Sequence, residues 1–264
     1  MLLLIAYVAT GIIRSLFLES TLIQLAIYSP SGVTGTVRLA QISDLHLATY
    51  GEGNQELVEL VASKHPDVIV STGDMIDARA ERIEDTVDLF RRLVKIAPVV
   101  YSLGNHEMAR QDLYELLMAL DAEGVQIVHN NAVTVRANGI DLRIGGLYTA
   151  EYLEGLEDAD QLDILLCHFP HKLDVYAKNG VPLTFSGHTH GGQFRLPFFD
   201  IALYAPGQGW FPQYTKGLYT KDDSHMIVSR GLGNSSFPFR VYNPPEVVIA
   251  DITYTDTIRW VYQK

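Results

Sequence analysis

The sequence predicts an α/β fold, with two mixed β-sheets packed face to face and sandwiched between helices. Two patterns predict it. The first half of the chain alternates short apolar runs with amphipathic stretches, the pattern of parallel strands joined by helices. The second half is richer in short apolar runs and poorer in helical periods, so its sheet is expected to be mixed. No Pro/Gly/Ser linker divides the halves, which argues for one domain.

In chain order, residues 37–42 read as a strand and 55–63 (QELVELVAS) as a helix. The same alternation gives strands at 68–70 and 99–103 and helices at 83–96 and 111–123. Asn138-Gly139, between apolar runs at 133–136 and 142–144, marks a tight hairpin. Further strands are expected at 164–166, 183–185, 226–228, 247–252 and 257–261. Residues 194–219 carry many aromatics and three prolines without a clean period, which reads as a long ordered loop.

Residues 1–36 form an apolar leading segment and strand, ahead of a main domain at 37–264. Residues 1–13 are uncharged and mostly apolar. A helix of that length reaches only about 20 Å, short of the roughly 30 Å hydrocarbon core of a bilayer. Two readings stand here: a first helix packed on the protein, or a partial anchor lying in a membrane interface. Localisation is accordingly membrane-associated or cytoplasmic.

Charge and cysteine content narrow the function. The chain holds 20 Lys and Arg against 31 Asp and Glu, a net charge of -11. Such a surface repels polyphosphate backbones and disfavours nucleic acid as a partner. The single cysteine, Cys167, rules out an internal disulfide and a CxxC zinc site, and its apolar context reads as core.

Five polar clusters mostly follow expected strands: Asp44-Leu-His46, Gly73-Asp74-Met-Ile-Asp77, Gly104-Asn105-His106-Glu107, His168, and Gly187-His188-Thr-His190. In open α/β sheets the carboxyl ends of strands converge on one rim, where ligands bind. Five of the nine histidines fall in these clusters. Imidazoles suit Zn, Fe or Mn, and carboxylate and amide oxygens suit harder cations. The set Asp44, His46, Asp74, Asn105, His168, His188 and His190 is too large for one four-coordinate ion. It is large enough for two divalent ions that clamp a displacement at phosphorus.

The series DLH, GDMID, GNHE, CHFP and GHTHGG resembles the calcineurin-like metallophosphoesterase superfamily. GHTHGGQFRLPF and SRGLGNSSFPFRVYNPPEV are similar to its branch of membrane-associated bacterial phosphodiesterases, which includes YkuE- and YaeI-like proteins. The resemblance implies an α/β/β/α four-layer fold and a dinuclear centre. In it Asp44, His46 and His190 would hold one ion, Asn105, His168 and His188 the other, and Asp74 both. His106 matches the histidine that assists the leaving group, which makes His106 and Asp74 the catalytic candidates. Some relatives of the branch cleave UDP-2,3-diacylglucosamine, so a lipid-linked phosphodiester or pyrophosphate presented at a membrane surface is one expected substrate. Relatives usually carry a longer anchor or export signal, a departure that bears on localisation.

The other polar residues have plainer readings. Asp77 and Glu107 are expected to hold ligands by hydrogen bonds. His171, close to His168, is a candidate substrate contact. Arg230 is a candidate phosphate contact or a structural ion pair. His65 and His225 read as surface residues, and His129 as part of a turn. The rivals to a phosphoesterase of small or lipid-linked substrates are a nuclease of the same superfamily, a non-catalytic metal-binding scaffold, and a protein phosphatase.

Overall fold

The computed structural model describes residues 2–29, 31–155, 161–196, 199–234 and 237–255. Helix α1 (Leu2–Arg14) leads into strand β1 (Glu19–Tyr28). Then follow β2 (Gly35–Ile42), α2 (Gln55–Ser63), β3 (Val68–Ser71), α3 (Glu84–Leu93) and β4 (Val99–Ser102). The short α4 (Asn105–Met108), α5 (Leu113–Ala122) and β5 (Gln126–Val128) complete the first half. The second half runs through β6 (Asn131–Ala137), β7 (Ile140–Leu147), β8 (Ile164–Cys167), α6 (Leu173–Lys178) and β9 (Leu183–Ser186). Two small ladders follow, β10 (Arg195–Leu196) with β11 (Ile201–Ala202), and β12 (Tyr204–Ala205) with β13 (Gly209–Trp210). β14 (Gly217–Lys221), β15 (Ser224–Val228) and β16 (Glu246–Thr255) close the described chain. The strand expected at 257–261 lies outside the described residues.

One six-stranded sheet has the order β1-β16-β2-β3-β4-β5, the other β14-β15-β9-β8-β7-β6. Each is mixed. In the first, β2 to β5 run parallel and β16 runs antiparallel to β2. In the second, β7, β8, β9 and β15 are parallel and the edge strands antiparallel. The leading strand β1 extends the first sheet, in parallel register with β16 over its whole length.

The alternation of strand side chains decides the layers. Val37 and Leu39 of β2, Val68 and Val70 of β3 and Val100 of β4 pack against Ile144, Ile164, Leu166, Leu183, Phe185 and Ile227 of the opposite sheet. Their neighbours Ala40, Ile42, Ile69, Val99 and Tyr101 turn outward onto Leu57, Phe90 and Leu116 of α2, α3 and α5. Leu165, Cys167, Met226 and Val228 face the other way, onto Leu173 and Tyr176 of α6. The result is a helix–sheet–sheet–helix sandwich, and the parallel strands of both sheets carry the turns described next.

The apolar N-terminal helix packs on the body rather than standing free. The Tyr242 N–H donates to Gly11 O at 3.0 Å, and a Cβ on Gly11 would lie 2.6 Å from Val241. Ile5 and Ile13 nevertheless remain more than half exposed. No helix among the described residues is long and apolar enough to cross a membrane.

Candidate metal centre

The site begins with the turns after β2, β3, β4, β8 and β9. Asp44, His46, Asp74, His188 and His190 all adopt positive φ, between 48° and 70°, a region that side chains with a Cβ visit rarely. Each turn thereby reverses sharply and aims its side chain at the rim. Glycine permits the close approach of two turns. A Cβ on Gly104 would lie 2.2 Å from Asp74 Oδ1, and one on Gly73 would lie 2.2 Å from Gly104 N.

The seven residues expected as ligands come together. Asp44, His46 and His190 form one group of converging ligand atoms, and Asp74, His168 and His188 another. Asp74 Oδ2 lies 3.2 Å from His168 Nε2 and 3.8 Å from His46 Nε2, so one carboxylate reaches both groups. Asn105 Oδ1 is 3.2 Å from His168 Nε2. His46 Nε2 and His190 Nε2 lie 3.2 Å apart, as do His188 Nδ1 and His168 Nε2.

Backbone carbonyls fix the tautomers. His168 Nδ1 donates to Thr72 O at 2.7 Å and His190 Nδ1 to Gly233 O at 3.1 Å. With Nδ1 so committed, the Nε2 of each ring points into the cluster, the orientation a metal-ligating histidine needs. Rings whose lone pairs face one another beside two buried carboxylates make poor partners for each other and good ones for divalent cations. The donor set thus fits a metal centre.

Electrostatics agree. Burial lowers His46 to about 4 and His188 to about 3, and holds His190 well below the usual imidazole range, so all three are neutral near pH 7. Burial pushes the Asp44 carboxyl up to about 6, against the pull of the neighbouring His168. Burial also opposes charge on His168, but the Asp74 carboxylate beside it prevails and raises the ring to about 10. Asp74 is in turn held below the carboxylate range, because His168 outweighs burial. A cation would compete with a proton for that pair.

Residues around the cluster hold it in place. Glu107 is fully buried and accepts from the backbone N–H groups of Asp74, Met75 and Gly104, each at 2.8 Å, and from the Tyr101 hydroxyl at 2.7 Å. Asp77 Oδ2 lies 3.5 Å from both His46 Nδ1 and His106 Nδ1, and the paired guanidinium of Arg79 draws the Asp77 carboxyl down to about 2. His106 is about a quarter exposed, and its Nδ1 accepts the Ala78 N–H at 3.1 Å. The neutral ring therefore carries its proton on Nε2.

Two expected substrate contacts fare differently. His171 is exposed at the rim, its ring 5.8 Å from that of Phe169, which in turn lies 4.5 Å from the His188 ring. Of the two readings of Arg230, a phosphate contact or an ion pair, the ion pair is present. Arg230 Nη2 is 2.7 Å from Glu246 Oε2, its own N–H binds Glu246 Oε1 at 2.8 Å, and the residue is 9% exposed.

Sequence reading missed several supports. Ser43 Oγ donates to Asp44 Oδ2 at 2.5 Å, and Gln41 crosses between the sheets to Thr72 Oγ1 and Ser186 O. Asn243 Nδ2 donates to His190 O at 2.6 Å, and its backbone N–H to Ser15 Oγ at 2.9 Å, which couples the end of α1 to a ligand turn. The buried Arg240 guanidinium caps the carbonyls of Arg230 and Gly233. The only available signal was position, since Arg240 and Asn243 sit in the stretch FRVYNPP near the C-terminus.

The sequence matches the calcineurin-like phosphoesterase family over residues 37–192. It is 30% identical over 241 residues to the uncharacterized metallophosphoesterase YkuE of Bacillus subtilis (strain 168), covering 86% of this chain and 82% of that one. An uncharacterized metallophosphoesterase of Aquifex aeolicus (strain VF5) is 29% identical over 229 residues, 82% of this chain and 85% of that one. A transmembrane protein with metallophosphoesterase domain from Danio rerio is 27% identical over 241 residues, 83% of this chain and 53% of that one.

Proposed function

The chain belongs to the calcineurin-like phosphoesterase family and is a metal-dependent phosphoesterase, and we propose that it cleaves a phosphodiester or pyrophosphate bond in an amphipathic, lipid-linked substrate at a dinuclear centre. One observation carries the dinuclear reading: the Asp74 carboxylate lies within 3.8 Å of imidazole nitrogens from both donor groups. In this reading Asp44, His46 and His190 would hold one divalent ion, Asn105, His168 and His188 would hold the other, and Asp74 would serve both. The mixed nitrogen and oxygen donors suit Mn, Zn or Fe. When bound, such ions supply Lewis acidity toward phosphoryl oxygens and lower the pKa of water.

The chain's own residues do the rest. His106, with its proton on Nε2, hydrogen-bonds to the leaving oxygen and stabilises the charge that builds there as the ester bond breaks. Glu107 fixes the turns of Asp74 and Asn105 relative to each other. His171 and Phe169 form a rim against which the substrate rests.

Exposed apolar side chains support the lipid-linked part of the reading. Phe199 and Trp210 are each 73% exposed and Phe211 69%, on the loop whose Gly207 abuts His188. Phe237 and Phe239 pack on Phe194 and remain partly exposed. Leu16 and Phe17, just after α1, are exposed as well. A surface of this kind beside a polar site suits an acyl-bearing ligand or a membrane interface.

The test compares a diacylated nucleotide-sugar pyrophosphate with its deacylated form, with Mn, Zn, Fe or Mg restored to metal-free protein. The acylated form should be preferred by wild type, and a Trp210→Ala/Phe211→Ala variant should lose that preference. Equal efficiency on both forms in both proteins would remove the lipid-linked substrate and leave the phosphoesterase.

A further inference from the structure

Outside the ligand cluster, the described residues line an open cavity of about 420 Å³, within the range of small-molecule sites. One side is cationic. Arg195 is only 5% exposed, and its Nη1 donates to Gly191 O at 2.7 Å and Thr215 Oγ1 at 3.1 Å. Its Nη2 and the Lys216 Nζ both meet Asp200 Oδ1, at 2.9 and 2.7 Å, while its buried Nε has no partner. The Tyr219 hydroxyl accepts the Thr215 N–H at 2.9 Å, which leaves its own proton available to a ligand. The other side is apolar, formed by Ile201, Phe211 and Pro212.

Two cations here share one carboxylate oxygen, so the cavity keeps a net positive charge within a chain of net charge -11. Arg195 Nη2 also donates to the Asp200 backbone carbonyl at 2.6 Å, so the backbone is anchored while the carboxylate stands at the surface. Its side chain is 65% exposed, and Asp200 sits at φ 51° in the left-handed region. An exposed carboxylate of this kind is easily displaced by a better acceptor.

We propose that this cavity binds the phosphate or phosphonate head of an organic anion with an apolar tail. Arg195, Lys216 and Tyr219 hold the head, Phe211 and Ile201 flank the tail, and the Asp200 carboxylate occupies the head's place when no ligand is bound. The site is separate from the ligand cluster yet touches its backbone. Arg195 donates to the carbonyl of Gly191, and Thr189 Oγ1 donates to that of Thr215 at 3.1 Å, one residue to either side of His190.

The test is calorimetric titration of metal-loaded protein with hexylphosphonate and methylphosphonate, whose C–P bonds are not hydrolysed. Wild type should show a component that favours the hexyl compound, beyond any shared binding at the metals. Lys216→Met should weaken that component about tenfold or more, from the loss of a charged hydrogen bond. Asp200→Asn should strengthen it about three- to fivefold, because the competing carboxylate is gone. Metal content and hydrolysis of bis-p-nitrophenyl phosphate, read on the same samples, should match wild type in both variants and so report on the metal centre separately. Identical titrations in all three proteins, or weaker binding in Asp200→Asn, would overturn the proposal.

Discussion

Replacing Glu107 by Gln tests how the metal turns are held. The Glu107 carboxylate accepts from Met75 N, Ile76 N and the Tyr101 hydroxyl on Oε1, and from Asp74 N and Gly104 N on Oε2. Burial and the nearby Asp74 charge push this carboxyl above its usual range. A protonated carboxyl would set an O–H against an N–H, so the donor pattern requires the ionised form. Gln keeps the shape but puts an NH2 where an oxygen was. If it replaces Oε2, two backbone donors are orphaned. If it replaces Oε1, Tyr101 can rotate to accept, but Met75 N is still orphaned. Each orphaned buried donor costs about 1–3 kcal/mol, so the loss is about 2–5 kcal/mol. For a chain of this size that lowers the melting temperature by roughly 5–15 °C. Scanning calorimetry in chelator, with metal content measured after reloading, gives the answer. A Glu107→Gln protein within about 0.5 kcal/mol of wild type and fully loaded would refute the ionised anchor, because a neutral carboxyl is the group that Gln replaces at no cost.

Other perturbations test the remaining parts. Asp74→Ala should lower metal content from about two ions toward zero and abolish hydrolysis more completely than loss of any ligand to a single ion, as elemental analysis and activity assays would show. His106→Ala should keep its metals and slow turnover by about 10²–10³, most for unactivated alkyl esters; equal losses on nitrophenyl and alkyl esters would count against a role at the leaving oxygen. In chelator, stability should fall as pH drops from about 6.5 toward 4. The unfolded histidines take up protons there, while native His46 and His188, lowered to about 4 and about 3, do not. The loss is about 2 kcal/mol per ring by pH 5, partly offset by Asp44, which holds its proton up to about 6 in the native state. Urea titrations at pH 7.5, 6 and 5 check the slope, and a flat profile would contradict buried neutral rings.

Elements with a strong local signal were readable from sequence. The helix expected at 55–63 is α2, Gln55–Ser63, because its apolar positions recur at helical spacing. Asn138 and Gly139 both adopt positive φ, as a two-residue hairpin turn requires. Other elements were less legible. α6 is only six residues long, too short for a period to stand out. β14 lies at a sheet edge with mostly exposed residues, so it lacks alternation strong enough to mark it. The seven ligand candidates were legible because their side chains carry the chemistry. Among the supports Glu107 was legible as well, but Arg240 and Gly233 were not, since Arg240 acts on carbonyls and Gly233 supplies one, and a backbone oxygen leaves no trace in residue type.

Backbone geometry also explains how five strained residues can sit together at one rim. Left-handed φ at Asp44, His46, Asp74, His188 and His190 costs on the order of 1–3 kcal/mol per residue where nothing compensates. Here the turns bind one another. The Asp44 N–H donates to Gly73 O at 3.0 Å and the His46 N–H to Asp74 O at 3.1 Å, joining the turns of β2 and β3. The Leu232 N–H donates to Ser43 O at 2.9 Å and the Gly233 N–H to Asp44 O at 2.6 Å, joining the turn after β15. The Gly187 N–H donates to His168 O at 3.0 Å, joining β8 and β9. Each bond satisfies a buried amide that a strained turn would otherwise orphan. These bonds use backbone atoms and take up none of the imidazole nitrogens that face the cluster, among which His168 Nε2 is paired with Asp74. The fold therefore presents the ligand atoms already aimed, so cation binding need not also supply the free energy of shaping the turns.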